Sequence, residues 1–275
     1  SSPRYLLKGR TGSGKTAFLR NLEKQHSGEV IRIDPQFLCL RYISNSDVMR
    51  YLRACEVDVE PFFQIIWRHA FCTELLQRRY RIENADKANG FVDKLSAKLQ
   101  PNKRRAIDYL KKFGPDLWPD LETRVTEIAK RVEANIGAEI GTDISVLRSK
   151  IGASGKVTAE EKAEVQQRVN RVLCAEQLGD LGSVISFLAD DVFADGQHQY
   201  YVVIDDLDQF VIDDSIRYLL LRALIDSIKK FKGIRNVKFC VAIRSDLLEQ
   251  IFERTRGPGF QTEKYEDSIL EIRWT

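Results

Sequence analysis

A glycine-rich segment near the start of the chain constrains its fold and chemistry more than any other feature. The segment reads Gly9-Arg10-Thr11-Gly12-Ser13-Gly14-Lys15-Thr16 and fits the pattern G-x-x-x-x-G-K-[ST] at every fixed position. It follows the apolar run 5–7 and precedes a helical pattern that begins at Ala17. Glycines let successive backbone N–H groups turn toward a phosphate, and the positive end of the helix dipole faces the same place. Residues 9–17 are therefore predicted to bind the phosphates of a nucleoside triphosphate.

Two side chains in this segment carry the expected chemistry. Lys15 is predicted to contact the β- and γ-phosphates and so to take part in catalysis, and the Thr16 hydroxyl is predicted to ligate Mg²⁺. An ordinary glycine-rich turn with a chance lysine is the alternative. The alternative is disfavoured because strand, loop and helix follow one another in the required order.

A second acidic segment follows the apolar run 200–204 and reads Asp205-Asp206-Leu207-Asp208. It has the form of a Walker B motif, in which Asp205 holds Mg²⁺ opposite Thr16. Asp206 is predicted to polarise the water that attacks the γ-phosphate. Asp206 is one methylene shorter than the Glu often found at this position, which leaves the turnover rate open.

Arginines after the acidic segment are candidates for contacts to the γ-phosphate. Arg244 closes the apolar run 237–243, and strand ends converge on the phosphate crevice of a doubly wound sheet. A guanidinium there can bind the γ-phosphate and sense its loss, although helix capping or a surface ion pair is the alternative. Arg222 is a weaker candidate for a finger that acts on a neighbouring molecule.

Strands alternate with helices at both ends of the chain, which predicts an α/β fold with a doubly wound, mainly parallel sheet. The runs 30–34, 200–204 and 237–243 are predicted core strands, and a further strand is predicted near the end. Between them lies a long stretch with helical spacing and no strand pattern. We therefore expect a core made of residues 1–60 and 196–275, with a large all-helical insertion at 61–195.

The composition fits a globular protein and gives little sign of other sites. The 275 residues are 43% hydrophobic and 30% charged, with a net charge of +3. The five cysteines are scattered and read as reduced, buried thiols, and no run has the length of a membrane span. A cytoplasmic protein without membrane association is expected. Both ends look cut, which suggests a longer polypeptide.

Taken together, these motifs resemble the additional-strand P-loop ATPases of the STAND and AAA+ kind. The resemblance rests on four segments: GRTGSGKT, the strand that ends in Asp34-Pro35, VVIDDLD and VAIRSD. The DDLD form is similar to that of the KAP ATPases. Little-characterised bacterial ATPases of multidomain proteins, some linked with DNA repair or anti-phage defence, look closest. The resemblance implies ATP and Mg²⁺ as ligands, a homo-oligomer that forms on ATP binding, and an attached or partner effector.

Three other classes compete with a regulatory ATPase. A P-loop kinase that phosphorylates a small molecule would use the same loop, but the adjacent acids Asp205 and Asp206 fit water activation better. An ABC-type ATPase is disfavoured because the sequence has no LSGGQ-like signature. A nucleotide-dependent scaffold with negligible turnover remains open.

A basic stretch in the expected insertion raises the question of nucleic acid. Pro101-Asn102-Lys103-Arg104-Arg105 and Lys111-Lys112 lie near Tyr109 and Phe113, and basic residues with aromatics can engage phosphates and bases. A solvated helix face is the favoured alternative because acidic residues are interspersed. Nucleic acid is therefore a weakly supported partner.

Overall fold

The computed structural model describes residues 5–35, 46–80, 104–105, 108–110, 121–140, 158–178, 180–194, 198–209, 213–255 and 263–273. The strands are β1 (Leu6–Gly9), β2 (Val30–Ile33), β3 (Tyr200–Ile204), β4 (Val237–Arg244) and β5 (Ile269–Glu271). The α-helices are α1 (Lys15–Gln25), α2 (Asp47–Ala54), α3 (Glu60–Tyr80), α4 (Leu121–Ile140), α5 (Ala159–Leu178), α6 (Asp180–Phe187), α7 (Asp214–Lys230), α8 (Ser245–Arg254) and α9 (Glu263–Glu266). A π-helical turn spans Leu188–Val192.

The chain divides into two compact units. One unit combines Ser1–Phe37 with Leu188–Thr275, and the other is Leu38–Phe187. Helix α2 belongs to the second unit.

The first unit is built on one parallel sheet of five strands in the order β2-β3-β4-β1-β5. Its strands include the three apolar runs predicted from the sequence and the expected strand near the end. β3 and β4 are rich in β-branched and aromatic residues, which suits strands that are covered on both faces. The observed architecture is therefore α/β with a parallel sheet.

Helices of the first unit pack on both faces of this sheet. Leu19 of α1 packs in one cluster with Leu7 and Val203, whereas Glu249 of α8 forms an ion pair with Lys8 across 3.1 Å. Because neighbouring residues of a strand point to opposite faces, α1 and α8 lie on opposite sides of β1. The carboxyl ends of β1, β3 and β4 meet at one edge of the sheet.

The second unit is helical throughout its described residues. Helix α3 lies at its centre and packs against α4, α5 and α6. Its large side chains, including Phe62, Phe63 and Trp67, are fully buried around the whole helix, as expected of a central core helix. A capping box begins α5, as the sequence predicts: the Thr158 N–H donates to Glu161, and the Glu161 N–H donates to the Thr158 hydroxyl.

The sequence led us to expect no membrane-spanning segment and buried cysteine thiols. Within the described ranges, no helix combines the length and the apolar character needed to cross a membrane. Cys55 and Cys72 are buried thiols, as expected, whereas the Cys174 thiol is exposed. Cys174 lies on the solvent side of α5, where helical spacing and not residue type decides exposure. Cys39 lies outside the described residues.

Candidate functional site

The glycine-rich loop connects β1 to α1 through two residues in the left-handed region. Gly12 has a φ angle of 77° and Gly14 a φ angle of 89°. Gly14 directly precedes α1 as its N-terminal cap. Residues with a Cβ adopt this conformation at a steric cost, so the loop path depends on glycine at these positions.

Gly9 is required for a different reason, which is space. A Cβ atom on Gly9 would lie 2.3 Å from the Ser13 Oγ and 2.9 Å from the carbonyl oxygen of Ile272. The loop therefore folds tightly over the end of β1. The Ser13 Oγ is itself buried and has no hydrogen-bond partner among the described residues. A buried hydroxyl in that state is unusual and suits a ligand oxygen nearby.

Lys15 begins α1 and folds back over the loop. Its Nζ atom donates hydrogen bonds to the carbonyl oxygens of Gly9 at 2.9 Å and Arg10 at 2.8 Å. The ammonium group is thus held beside the loop by neutral oxygens. Phosphate oxygens would be stronger acceptors for the same charge.

The start of α1 is open to an anion. Its first turn, from Lys15 through Thr16 and Ala17, contains no acidic residue, and Gly14 offers no capping side chain. The first N–H groups of a helix have no partner within the helix, and its dipole favours negative charge there. Thr16 and Ala17 are half-buried and exposed, respectively. The predicted phosphate-binding residues 9–17 therefore run from the end of β1 into this first turn of α1.

Asp205 follows β3 and is 7% exposed. Its Oδ1 accepts a hydrogen bond of 3.0 Å from the Asp206 N–H, while its buried Oδ2 has no hydrogen-bond partner in the described part of the chain. By strand alternation Asp205 continues the face of Val203, which packs against α1. A buried carboxylate oxygen without a donor is costly unless a cation or another donor faces it.

Asp206 stands in a strained turn next to Asp205. Its φ angle is 58°, and its carbonyl oxygen accepts a hydrogen bond from the Gln209 N–H at 3.1 Å. Desolvation raises the pKa of Asp206, the charges of Asp205 and Asp208 add to this effect, and the Arg32 guanidinium opposes it. The Arg32 Nη2 lies 4.0 Å from the Asp206 Oδ2. Asp205 and Asp208 thus lie near enough to Asp206 for their charges to act on it.

Arg244 ends β4 directly beside the loop. In the sheet register it is paired with Gly9. Its Nε and Nη2 donate to Asp246 at 3.1 and 2.6 Å, and its Nη1 donates to Asp208 at 3.3 Å. These hydrogen bonds lower the pKa of Asp246 and raise that of Arg244. The structure therefore places this predicted sensor next to the loop but already engaged by two carboxylates.

Arg222 does not suit the role of a finger toward a neighbouring molecule. It is 9% exposed, its Nε donates to Asp226 at 2.8 Å, and its guanidinium lies 4.8 Å from the ring centre of Tyr265. A charge buried among such contacts supports packing between helices. The helical pattern of the sequence gave no sign of these contacts.

Tyr109, an aromatic residue near the basic stretch, is not available to stack on a base. Tyr109 is buried, and its hydroxyl lies 3.1 Å from Nδ1 of the fully buried His69. Arg105 stacks on the ring of Phe187, at 4.4 Å from the ring centre. Lys103, Lys111-Lys112 and Phe113 lie outside the described residues. Tyr109 therefore serves the helical core rather than an open surface.

A groove of about 600 Å³ lies between the loop, α8 and the end of β5. This volume is within the range of small-molecule sites. Its lining combines loop residues with residues of α8 and the end of β5, among them Arg10, Thr11, Ser245, Glu249, Glu271 and Arg273. Lys15, Thr16 and Asp205 do not line it, so the groove adjoins the predicted phosphate site without containing its metal-binding part.

Several residues of this site were not predicted from the sequence. Arg32 and its partner Glu23 lie beside Asp206, and Ile272 closes over Gly9. A usable signal was the single charge at Arg32 between the buried residues Ile31 and Ile33, because alternation places Arg32 on the opposite face from these two residues, where Glu23 of α1 lies.

Among the described residues, no three His, Cys, Asp or Glu side chains are grouped as a metal site. A metal here would need ligands from a hydroxyl, a single carboxylate and the bound molecule itself. No protein-family model, curated protein or solved structure matches this chain.

Proposed function

We propose that this chain is a Mg²⁺-dependent ATPase with a P-loop core and a large helical insertion, and that its nucleotide state acts as a switch. The observation that carries the proposal is the unpartnered Oδ2 of buried Asp205. Asp205 lies on the sheet face that α1 covers and at the same edge of the sheet as the glycine loop. A cation and an anion that bind together satisfy both features at once.

The strand order supports the additional-strand class of P-loop ATPases. β4 lies between β1, which leads into the loop, and β3, which leads to Asp205 and Asp206. That intervening strand ends in Arg244, so the loop, the acids and the arginine all stand at one edge of the sheet. Ligands of such sheets bind at the carboxyl ends of the strands.

The residues present fit a nucleoside triphosphate with its metal. The phosphates would be held by the loop N–H groups, the Ser13 hydroxyl and Lys15, and the adjoining groove has room for the remainder of the nucleotide. Thr16 and Asp205 would hold Mg²⁺. Bound Mg²⁺ supplies neutralisation of the charge that develops on the phosphate oxygens. The choice of ATP rests on the family resemblance.

Three side chains then divide the work of hydrolysis. Lys15 exchanges its carbonyl partners for phosphate oxygens and holds negative charge at the loop. Arg244 exchanges part of its contact with Asp208 for the γ-phosphate and reports when it leaves. Asp206 accepts a hydrogen bond from the attacking water and orients it.

As a switch, the ATP-bound protein associates with further copies of itself and passes its state to an attached or partner effector. Arg244 supports this proposal, because its pairing with Asp208 and Asp246 gives it a defined alternative state when the γ-phosphate is absent. DNA repair and anti-phage defence are the settings that the family resemblance suggests for the effector.

The test combines phosphate release with molecular mass. Incubation with Mg²⁺ and ATP without any acceptor should release inorganic phosphate slowly, and a non-hydrolysable ATP analogue should raise the mass measured by light scattering. Phosphate release that requires an added small-molecule acceptor would indicate a kinase. Analogue binding without any phosphate release would indicate a scaffold, and an unchanged mass would remove the oligomeric switch.

A further inference from the structure

The segment that joins α7 to β4 carries positive charge only. Residues 227–245 contain six basic side chains and no acidic one, in a chain that has 43 basic and 40 acidic residues overall. Three of these basic side chains, Lys230, Lys232 and Arg235, are exposed, and we call them the basic turn. The basic turn is separate from the basic stretch at residues 101–112. A surface of one sign of charge attracts partners of the opposite sign.

Buried apolar residues hold the basic turn in an ordered path. Phe231, Ile234 and Val237 are buried at intervals of three residues. Their N–H groups donate to the carbonyl oxygens three positions earlier, at 3.0, 3.0 and 3.2 Å. The basic side chains stand between or beside these anchors and face solvent. The three cations are therefore presented by folded backbone, unlike the charges of a disordered tail.

The basic turn lies at the amino edge of the sheet, opposite the glycine loop. It leads into the start of β4, whereas Arg244 ends that strand. β4 has eight residues, so the two edges are roughly 25 Å apart at about 3.3 Å per residue. The described carboxylates that shortly precede strands at the amino edge, Glu29 and Asp267, belong to the outer strands β2 and β5. The edge around β4 is therefore positive.

Carboxylates do not neutralise the basic turn. None of its three side chains forms an ion pair with a residue that the structure describes, and this includes the exposed Asp190 and Asp191 of the π-helical turn. The Lys232 Nζ lies 5.8 Å from the ring centre of the buried Tyr5, a contact that leaves its charge in place. Cations without counter-charges can bind phosphate groups without first breaking an ion pair.

We propose that the basic turn binds the phosphate backbone of a nucleic-acid duplex without reading its sequence. Proteins that bind single strands add aromatic rings on which unstacked bases rest. Within the described residues the only exposed large hydrophobic side chain is Phe18, near the start of α1 and beside the glycine loop. The basic turn thus offers charge without a stacking surface, which suits a duplex whose phosphates face outward. This inference does not rest on the proposed function, because none of the predicted nucleotide-binding residues takes part.

The test measures duplex affinity as a function of salt, in the absence of nucleotide. A fluorescent DNA duplex of mixed sequence is titrated with the protein from about 50 to about 200 mM NaCl, and anisotropy gives the association constant. With three phosphates contacted, the logarithm of this constant should fall against the logarithm of salt with a slope of about −2.7. Lys230→Ala/Arg235→Ala should make the slope shallower by about 1.8 and weaken binding roughly tenfold or more at the lowest salt.

Two double variants serve as controls. Lys230→Arg/Arg235→Lys keeps both charges and should keep the wild-type slope, because phosphate contacts of this kind depend on charge. Arg20→Ala/Arg50→Ala removes the same net charge from exposed side chains of α1 and α2 and should leave the slope close to that of wild type.

Four results would overturn the proposal. They are no binding of the duplex by wild type, an equal slope in wild type and Lys230→Ala/Arg235→Ala, and tighter binding to a single strand of the same sequence. The fourth is binding to phosphatidylserine vesicles without binding to the duplex, which would assign the basic turn to a membrane surface. Each result leaves the ATPase proposal untouched, since no nucleotide is present in the measurement.

Discussion

The Nζ atom of Lys15 donates a 2.9 Å hydrogen bond to the carbonyl oxygen of Gly9, the first residue of its own loop. The ammonium group is thereby kept at the mouth of the loop by an acceptor that carries no full charge. Charge-assisted hydrogen bonds to phosphate are stronger than bonds to a neutral carbonyl. Under the proposed function, a phosphate oxygen replaces the Gly9 carbonyl as the acceptor of this hydrogen bond.

Substitution of Asp206 should separate binding from turnover. Asp206→Asn keeps the size of the side chain but removes the carboxylate that would orient water, so kcat should fall roughly 100-fold or more. Affinity for a non-hydrolysable analogue should stay near that of wild type, because the phosphates are held by the loop. Steady-state phosphate release and calorimetry measure the two quantities. Normal phosphate release in Asp206→Asn would place the base elsewhere.

The pair of expected metal ligands should govern the Mg²⁺ requirement. Thr16→Ala and Asp205→Asn should each raise the Mg²⁺ concentration for half-maximal hydrolysis, roughly 10- to 100-fold. Asp208→Asn is the matched control, because Asp208 is a nearby carboxylate that pairs with Arg244 instead. Titration of activity with MgCl₂ provides the measurement. Equal Mg²⁺ dependence in all three variants would contradict the assignment of Thr16 and Asp205.

Arg244 should contribute to turnover more than to stability. Arg244→Ala removes an exposed guanidinium whose ion pairs add little to the folded state. Loss of a charge-assisted contact to the γ-phosphate should lower kcat roughly 10- to 100-fold. Arg50→Ala removes a comparable exposed arginine that pairs with Asp47 in the second unit and serves as the control. The two variants would have the same kcat if Arg244 were only a helix cap.

Buried His69 should make the helical unit sensitive to acid. Burial is the main cause that lowers the pKa of His69 from 6.5 to about 3, and the charges of Arg124 and Arg131 act in the same direction. Below pH 6.5 the His69 side chain binds a proton in the unfolded chain but stays neutral in the folded chain. The free energy of unfolding should therefore decrease as the pH falls. The slope from this group is at most about 1.4 kcal/mol per pH unit between the two pKa values.

Urea denaturation at several pH values between 7 and about 4 tests this effect. His69→Gln should flatten the dependence on pH. Tyr109→Phe, which removes only the hydroxyl beside His69, should keep it. An unchanged slope in His69→Gln would assign the acid sensitivity to other groups.

Local patterns predicted the elements of the sheet because hydrophobic runs and glycine positions are properties of short segments. Such patterns predicted the strands that begin at Val30, Tyr200 and Val237, and the capping box at Thr158. Only part of the loop path could be predicted, since Gly14 is a fixed glycine of the pattern and has a positive φ, whereas Gly12 has a positive φ at a position that the pattern leaves free.

Contacts between distant segments could not be predicted from local patterns. Arg244 is separated from Asp208 by 36 residues along the chain, and the meeting of Arg32 with Asp206 depends on the sheet order. Such contacts follow from register and from which strands are neighbours, and hydrophobic periodicity specifies neither.

The central claim is tested most directly by titration calorimetry. A non-hydrolysable ATP analogue is titrated, in the presence of Mg²⁺, into wild type and into Lys15→Ala. Lys15 is partly exposed at the start of α1, so the substitution should leave the fold intact, as circular dichroism can verify. Wild type should bind the analogue, and Lys15→Ala should lose roughly 100-fold or more in affinity. Equal affinity in the two proteins, or no binding by wild type, would contradict the assignment of a nucleotide site to this loop.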